Sequence, residues 1–430
     1  MFFPIFNHPT KLQTLDRNLM RMYFIGRLLA ITGSIFISFQ TFADVIVDWN
    51  LITVQATKKA GMNSNLSSRI EAIEAIAVYD AVNAIDQIGT PYHYSSPVHD
   101  RASDVAAAVR AAHDVLVFYF PDQGPWLDSA LQKSLTGIED PGLQKAGEEI
   151  GMASAAAIIE WRKNDGSDPD ISYAGPVKPG PGDYRPTPAA FKPGIDQQWG
   201  HVKPFLMLTD SQYRPLPPPG PQAKEFKTAL AQVKEIGSST STTRTAEQTH
   251  IAQFYKQDAE LTVNEAARAL ALSHHTTLSE NALIFVLTDI AEADARIAIW
   301  DAKYTYLFWR PVTALNANPD GTVINNYTAW TPLISTPPHP SYPCGHCGTV
   351  TAGFEVLKTF FGDSNTIELH TTTVGEPPRT IHSLGEGEGE NEWSRAYGGI
   401  HYTFDNIASD HLGRQVALWT IKKGPKRKTN

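Results

Sequence analysis

Apolar residues recur along this chain at three- and four-residue intervals, and clusters of proline and glycine cut the recurrence into segments. An apolar stretch at 45–54 leads into a loop. Ser68 and Glu71 then have the spacing of a capping box, with Ile70, Ile73, Ala77 and Ala81 following on one face. Pro91 and Pro97 end that helix. Val105, Ala108, Val109, Ala112 and Leu116 mark a second over 101–120, and two more are predicted over 125–135 and 141–163. The last carries Gly147 and Gly151, where a neighbouring helix can come close. Between 165 and 222 the periodicity fades and prolines gather, Pro217 to Pro219 among them. Trp199, Phe205, Leu206 and Tyr213 give this stretch apolar anchors, which predicts an ordered, extended wrap rather than free coil.

Helices resume over 223–236, closed by Gly237, and over 245–256, opened by a Thr245/Gln248 capping box. Two more follow, over 262–276 and 279–300. In the second, Ile284, Leu287, Ala291, Ala295 and Ala298 share a face. Helices over 346–361 and 406–422 complete the set, and the run Gly385 to Glu390 reads as a solvated turn. No alternating run is long enough for a substantial strand. The pattern predicts an all-α fold of packed helical bundles with a long Pro-rich irregular connection. Five segments result: 1–43, an address label; 44–164, an N-terminal helical region; 165–222, the wrap; 223–422, a C-terminal bundle; and 423–430, a basic tail.

The address label rests on Arg21 and Arg27, the apolar run Leu28 to Phe39, and small residues near Ala43, with Met20 and Met22 as alternative starts. The apolar run falls short of the ~20 residues of a membrane span. A signal peptide and a periplasmic or secreted protein are expected, with no stable span after its removal. A net charge of −9 over 430 residues argues against nucleic acid as a partner.

The chemistry gathers between residues 303 and 405, in three clusters: Lys303 with Arg310-Pro311; His339-Pro-Ser-Tyr-Pro343-Cys344-Gly345-His346; and Ser394-Arg395 with His401 and Asp405. Arginine forks and a lysine point charge suit a phosphate-like anion, and Gly345 lets a helix N-terminus approach it. Cys344-Gly-His-Cys347 also has the spacing of a dithiol redox motif, which keeps a thiol–disulfide oxidoreductase open. A zinc site through the cysteines with His339 or His346 lacks a spaced second pair.

In order and spacing, Lys-x6-Arg-Pro, Pro-x-Gly-His and Ser-Arg-x5-His-x3-Asp, the clusters resemble those of vanadium-dependent haloperoxidases, within the superfamily that includes type 2 phosphatidic-acid phosphatases. Tyr184-Arg-Pro-Thr-Pro, Trp199-Gly and the run Gly398 to Asn406 extend the likeness to bacterial haloperoxidase relatives. The resemblance implies a helical-bundle enzyme with a vanadate cofactor held by Lys303, Arg310, Cys344, Gly345, His346, Arg395 and His401. It makes His401 the ligand to vanadium, Asp405 the group that fixes its tautomer, His346 the acid–base group and Lys303 a polarising cation. Hydrogen peroxide and a halide would yield hypohalous acid, with a small organic acceptor downstream. Trp300 and His339 would form the halide pocket. His339 stands where bromoperoxidases tend to carry histidine, while Trp300 is closer to the chloroperoxidase pattern, and bromide or iodide is favoured. Acid phosphatase chemistry, with His401 as phosphoryl nucleophile, is the alternative. One departure stands out: the family usually has serine where this chain has Cys344, and a thiol is a weaker donor. A Cys344–Cys347 disulfide would remove that donor altogether.

Overall fold

A computed structural model of the chain describes residues 44–97 and 101–428, so the address label and the last two residues of the basic tail lie outside the described residues. The N-terminal helices are α1 (Val45–Lys59), α2 (Ser64–Asp86), α3 (Asp104–Tyr119), α4 (Gly124–Leu135) and α5 (Pro141–Arg162). After the wrap come α6 (Lys224–Ile236), α7 (Ala246–Phe254), α8 (Ala259–His274), α9 (Leu278–Tyr306), the single turn α10 (Pro311–Ala314) and α11 (Gly345–Phe361). A two-stranded antiparallel ribbon, β1 (Ile367–Leu369) with β2 (Arg379–Ile381), precedes α12 (Leu384–Tyr397) and α13 (Thr403–Lys423).

Several boundaries depart from the sequence pattern. The apolar stretch at 45–54 is helical, because Asp44 accepts from the Ile46 N–H and the period continues to Lys59. The second helix begins a turn before Ser68, where the Asn63 side chain accepts from the N–H groups of Asn65 and Leu66. Ser68 and Glu71 are therefore interior, and both are buried. The run at 385–390 is not a solvated turn but the first half of α12. Ser383 caps it, and Gly387 lets it close on α11, since a Cβ there would meet the Phe354 ring at 2.8 Å. Glu388 then pairs with Lys358 and Arg414, each at 2.8 Å.

α9 organises the interior. It is 29 residues long, opens on a Thr277/Glu280 capping box and is buried from Asn281 to Lys303. α2, α8, α11 and α13 pack around it. Its polar residues tie down the wrap. Asp294 accepts from the backbone N–H groups of Phe205 (2.6 Å), Leu206 and Met207 (both 2.8 Å), and Asp301 takes both arms of Arg214 at 2.6 Å. Trp199 and Phe205 are buried beside them, so the Pro-rich stretch is an ordered cover over α9. Elsewhere α3 and α5 meet closely: a Cβ on Gly147 or Gly151 would lie 2.2 or 2.5 Å from a carbonyl of α3 or its cap. Among the described residues no helix is long and apolar enough to cross a membrane.

Candidate oxyanion site

Four parts of the chain bring the three clusters together: the end of α9, the turn at α10, the proline-bounded loop 337–344 leading into α11, and the junction of α12 with α13. α9 presents Arg296, Trp300 and Lys303 along one face, since spacings of four and three keep side chains on the same stripe. Lys303 is fully buried, and its ammonium donates to the carbonyls of Pro340 (2.7 Å), Ser341 (3.0 Å) and Pro343 (2.5 Å). All three donors are thus engaged in holding the loop. In this arrangement Lys303 braces the loop and contributes charge to the site.

Arg310 is fully buried and joins the loop to the last cluster. Its Nε donates to the His339 carbonyl (2.9 Å), Nη2 to the His339 ring Nδ1 (2.9 Å), and Nη1 to the Ile400 carbonyl (2.8 Å) and the His401 ring Nε2 (2.9 Å). Two rings receiving a guanidinium proton are neutral at those nitrogens. On its other side His401 meets Asp405, Nδ1 to Oδ2 at 2.8 Å, so the geometry assigns the proton to Nδ1 and a lone pair to Nε2. Asp405 lies in the first turn of α13, where its Oδ2 also accepts from the Tyr402 backbone N–H (3.3 Å) and from the Ser341 hydroxyl (2.5 Å). Arg395 donates through Nε to Ser394 (2.8 Å) and through Nη2 to the Tyr255 carbonyl.

Burial sets the electrostatics. It brings the Arg310 guanidinium down to about 10, and burial together with Arg310 brings Arg395 down to about 9. Burial, with Arg310 and then Lys303 beside it, holds the His401 imidazole well below its usual range. His346 is held low by burial and then by Arg395, and its Nε2 faces the Gln257 carbonyl at 2.9 Å, leaving Nδ1 as the free base. Burial pushes the Asp405 carboxyl up to about 7. None of Lys303, Arg310 and Arg395 is in an ion pair among the described residues. Three buried cations without an adjacent salt-bridge partner are a costly arrangement that a bound anion would relieve.

Gly345, His346, His339, Trp300 and His401 line one cavity of about 130 Å³. The His339 and Trp300 rings lie 5.0 Å apart at a tilt of 46°. Cys344 caps α11 but is joined to Cys347 in a disulfide, and its Sγ accepts from the Cys347 N–H at 3.2 Å. It has no S–H to offer, so the expectation of a Cys344 side-chain donor is corrected. Replacing Cys344 with serine supplies a hydroxyl at the cap, and phosphate affinity measured by calorimetry is expected to rise about tenfold. Unchanged affinity would show that the backbone N–H groups suffice.

Sequence reasoning missed Arg296, which shares a helical stripe with Trp300 and Lys303, four and seven residues on, and that spacing was the available signal. It also quoted Ser341 without giving it a role. Asn65 and Asp196, which line the same cavity, come from distant segments and left no local signal.

A model of the second helical-bundle domain of VCPO matches residues 283–426, the stretch that holds every cluster described above. Over 218 residues, 40% of this chain, the sequence is 25% identical to a vanadium chloroperoxidase of Curvularia inaequalis, and the match spans about a third (34%) of that protein's length. Among solved structures, a bacterial vanadium-dependent iodoperoxidase superposes with a TM-score of 0.78 at 24% identity, covering 90% of this chain and 97% of that one. An apo-type bacterial vanadium-dependent chloroperoxidase gives 0.69 at 17% identity, covering 84% and 93%. Those two likenesses are likenesses of fold.

Proposed function

We propose that this chain, which belongs to the vanadium haloperoxidase family, binds vanadate in the cationic cup and uses hydrogen peroxide to oxidise a halide, bromide or iodide, to hypohalous acid. The observation that carries this reading is the set of three buried cations, none in an ion pair among the described residues, arranged around a neutral histidine nitrogen. The donor set fits the group: forked cations for its oxygens, a helix N-terminus beside them, and one imidazole lone pair for the metal. Arg310, Arg395, the N–H groups at Gly345 and the Nε2 of His401 would hold it. When bound, vanadate supplies a Lewis acid that activates peroxide toward a nucleophile.

The chain's own residues do the rest. Asp405 keeps the His401 proton on Nδ1, which leaves the lone pair on Nε2, here accepting from Arg310, as the one a metal would take in that hydrogen bond's place. Lys303 locks the loop that presents Gly345 and adds fixed positive charge. Such preorganised charge favours a state in which negative charge builds on oxygen. His346 carries a free Nδ1 beside the cup and is the group placed to hold and pass on a proton. Trp300 and His339 close the wall where a halide would sit, and a small organic molecule is the acceptor of the oxidised halogen. The Cys344–Cys347 bridge suits the oxidising surroundings of an exported protein.

Adding vanadate to purified apoprotein tests this. Peroxide- and halide-dependent bromination or iodination is expected to appear with saturable vanadate dependence. Hydrolysis of p-nitrophenyl phosphate without halogenation would instead favour phosphatase chemistry at His401. Activity that needs no oxyanion and is lost on reducing and alkylating Cys344 would favour the thiol reading.

A further inference from the structure

The basic tail is tied into the fold. Past the end of α13 the chain runs antiparallel to residues 88–90. Thr90 donates its N–H to the Lys426 carbonyl (3.1 Å), Lys428 donates to the Ile88 carbonyl (2.9 Å), and the Lys426 N–H reaches the Thr90 hydroxyl (3.1 Å). Gly89 permits the approach, since a Cβ there would lie 2.2 Å from the Lys426 carbonyl oxygen. A tail held this way displays Lys422, Lys423, Lys426, Arg427 and Lys428, all exposed.

Beside it lies a cavity of about 220 Å³, where the tail, the loop at 90–93, the end of α5 and the wrap meet. The rings of Tyr92, His93 and Trp161 line it together with Lys423. The His93 imidazole stacks on the Trp161 indole at 5.0 Å, and the exposed Lys203 places its ammonium 4.4 Å from the same indole's centroid. Lys203 and the tail cations thus gather on one face of a chain whose net charge is −9. Of these, Arg427 alone makes an ion pair among the described residues, with Glu280 at 3.5 Å. Those two side chains are 71% and 38% exposed, so the pair is weak. Neighbouring carboxylates are engaged elsewhere. Asp80 accepts from the backbone N–H groups of Tyr92 (2.7 Å), His93 (2.8 Å) and Tyr94 (2.7 Å), and Glu160 faces Lys163 at 3.6 Å.

We propose that this face binds an anionic polysaccharide, one whose sugar rings carry sulfate or carboxylate groups. A patch that reverses the sign of the protein's net charge attracts a polyanion, and each group it neutralises releases counterions to solvent. Cations spaced along an extended run match a chain of repeating charge better than one compact anion. The cavity adds what charge alone lacks: its rings offer apolar surface to the C–H face of a sugar, with Lys203 and Lys423 at hand for its charged substituents. An anionic bilayer would be drawn to the same cations, but it favours apolar side chains that insert, and Tyr92 and Trp161 are half-buried in the cavity. None of these residues lines the oxyanion cavity, so a docked polysaccharide leaves the cup open and holds the protein on an anionic matrix.

The test is binding of the full chain to fluorescently labelled dextran sulfate, read by anisotropy, with uncharged dextran as the blank. Saturable binding is expected that weakens about tenfold or more between about 50 and 200 mM salt. Changing Lys422, Lys423, Lys426 and Lys428 together to glutamine is expected to weaken it at least about tenfold and to flatten the salt dependence. His93→Ala removes a ring, and is expected to weaken binding about threefold while leaving the salt dependence as it was. Phosphate affinity within about twofold of the parent verifies the fold. If the fourfold variant does not fold, Lys203→Gln with Lys423→Gln decides. Absence of binding at the lower salt, or binding that survives loss of the lysines, overturns the proposal. Full affinity in His93→Ala, or equal affinity for a single-stranded oligonucleotide or for phosphatidylserine vesicles, leaves a general anion trap and overturns the choice of a saccharide.

Discussion

Replacing His401 with alanine is expected to lower vanadate-dependent halide oxidation by about 10³-fold or more, while phosphate affinity falls only about tenfold. The asymmetry follows from the division of labour in the cup. In the proposed cup Arg310 and Arg395 supply the charge that would hold an oxyanion, and they remain. Arg310 keeps its bonds to the His339 and Ile400 carbonyls when the His401 ring is gone. What disappears is the single neutral nitrogen whose lone pair is aimed by a carboxylate at 2.8 Å. Asp405→Asn separates the two effects. It leaves the ring in place but removes the charge that orders its tautomer, and is expected to weaken vanadate affinity about 10–100-fold. Vanadium NMR titration alongside steady-state rates reads both variants. Halide oxidation above a tenth of the parent rate in His401→Ala, at full vanadate occupancy, would remove His401 from the metal and leave a purely electrostatic cup.

What the sequence told about this site followed from short-range rules. A step of four residues from His401 to Asp405 places both on one turn, where an imidazole and a carboxylate meet. A step of seven from Lys303 to Arg310 carries the chain off the end of α9 and back to the loop. The helices were legible wherever a cap and an apolar stripe agreed, as at Thr245 and along α9. They were misread where tertiary contact outweighed local pattern. Gly385 to Glu390 holds three glycines and so has low helix propensity, yet α12 forms because Gly387 admits α11 and Glu388 finds two cations. Lys303 read as a free cation because no local rule reveals that three carbonyls thirty-seven or more residues away converge on it. Arg296 was overlooked for the opposite reason: its place on the stripe was visible, but the cavity that gives it meaning needs Asn65 and Asp196 from the other half of the chain.

The same helix carries a second set of charges that no function above uses, and these set the stability. Two turns and one turn before Arg296, α9 buries Asp289 and Glu292 near Glu71 and Glu74 of α2, all 4% exposed or less. Neither oxygen of Glu71 or of Glu292 has a hydrogen-bond partner among the described residues. Burial raises all four, and it pushes Asp289 from the usual 3.8 up to about 7, against the pull of Asn264 and Arg268. A carboxyl raised on folding binds its proton more tightly in the native state. Its contribution is therefore whole below the unfolded value and is lost as pH rises through the folded one. For Asp289 alone that window runs from about 4 to about 7, and the loss across it is on the order of 4 kcal/mol. Asp289→Asn, which is neutral at every pH and keeps a polar group facing Asn264, is expected to flatten the fall in stability between pH 5 and pH 8. It should be the more stable protein at pH 8 by a few kcal/mol and lose that advantage at pH 4. Urea unfolding at the three pH values decides it. Parallel pH profiles for parent and variant would mean that Asp289 is ionised in the native core and held by Arg268, and the acidic seam between α2 and α9 would then be an ion-pair network rather than a store of neutral carboxyls.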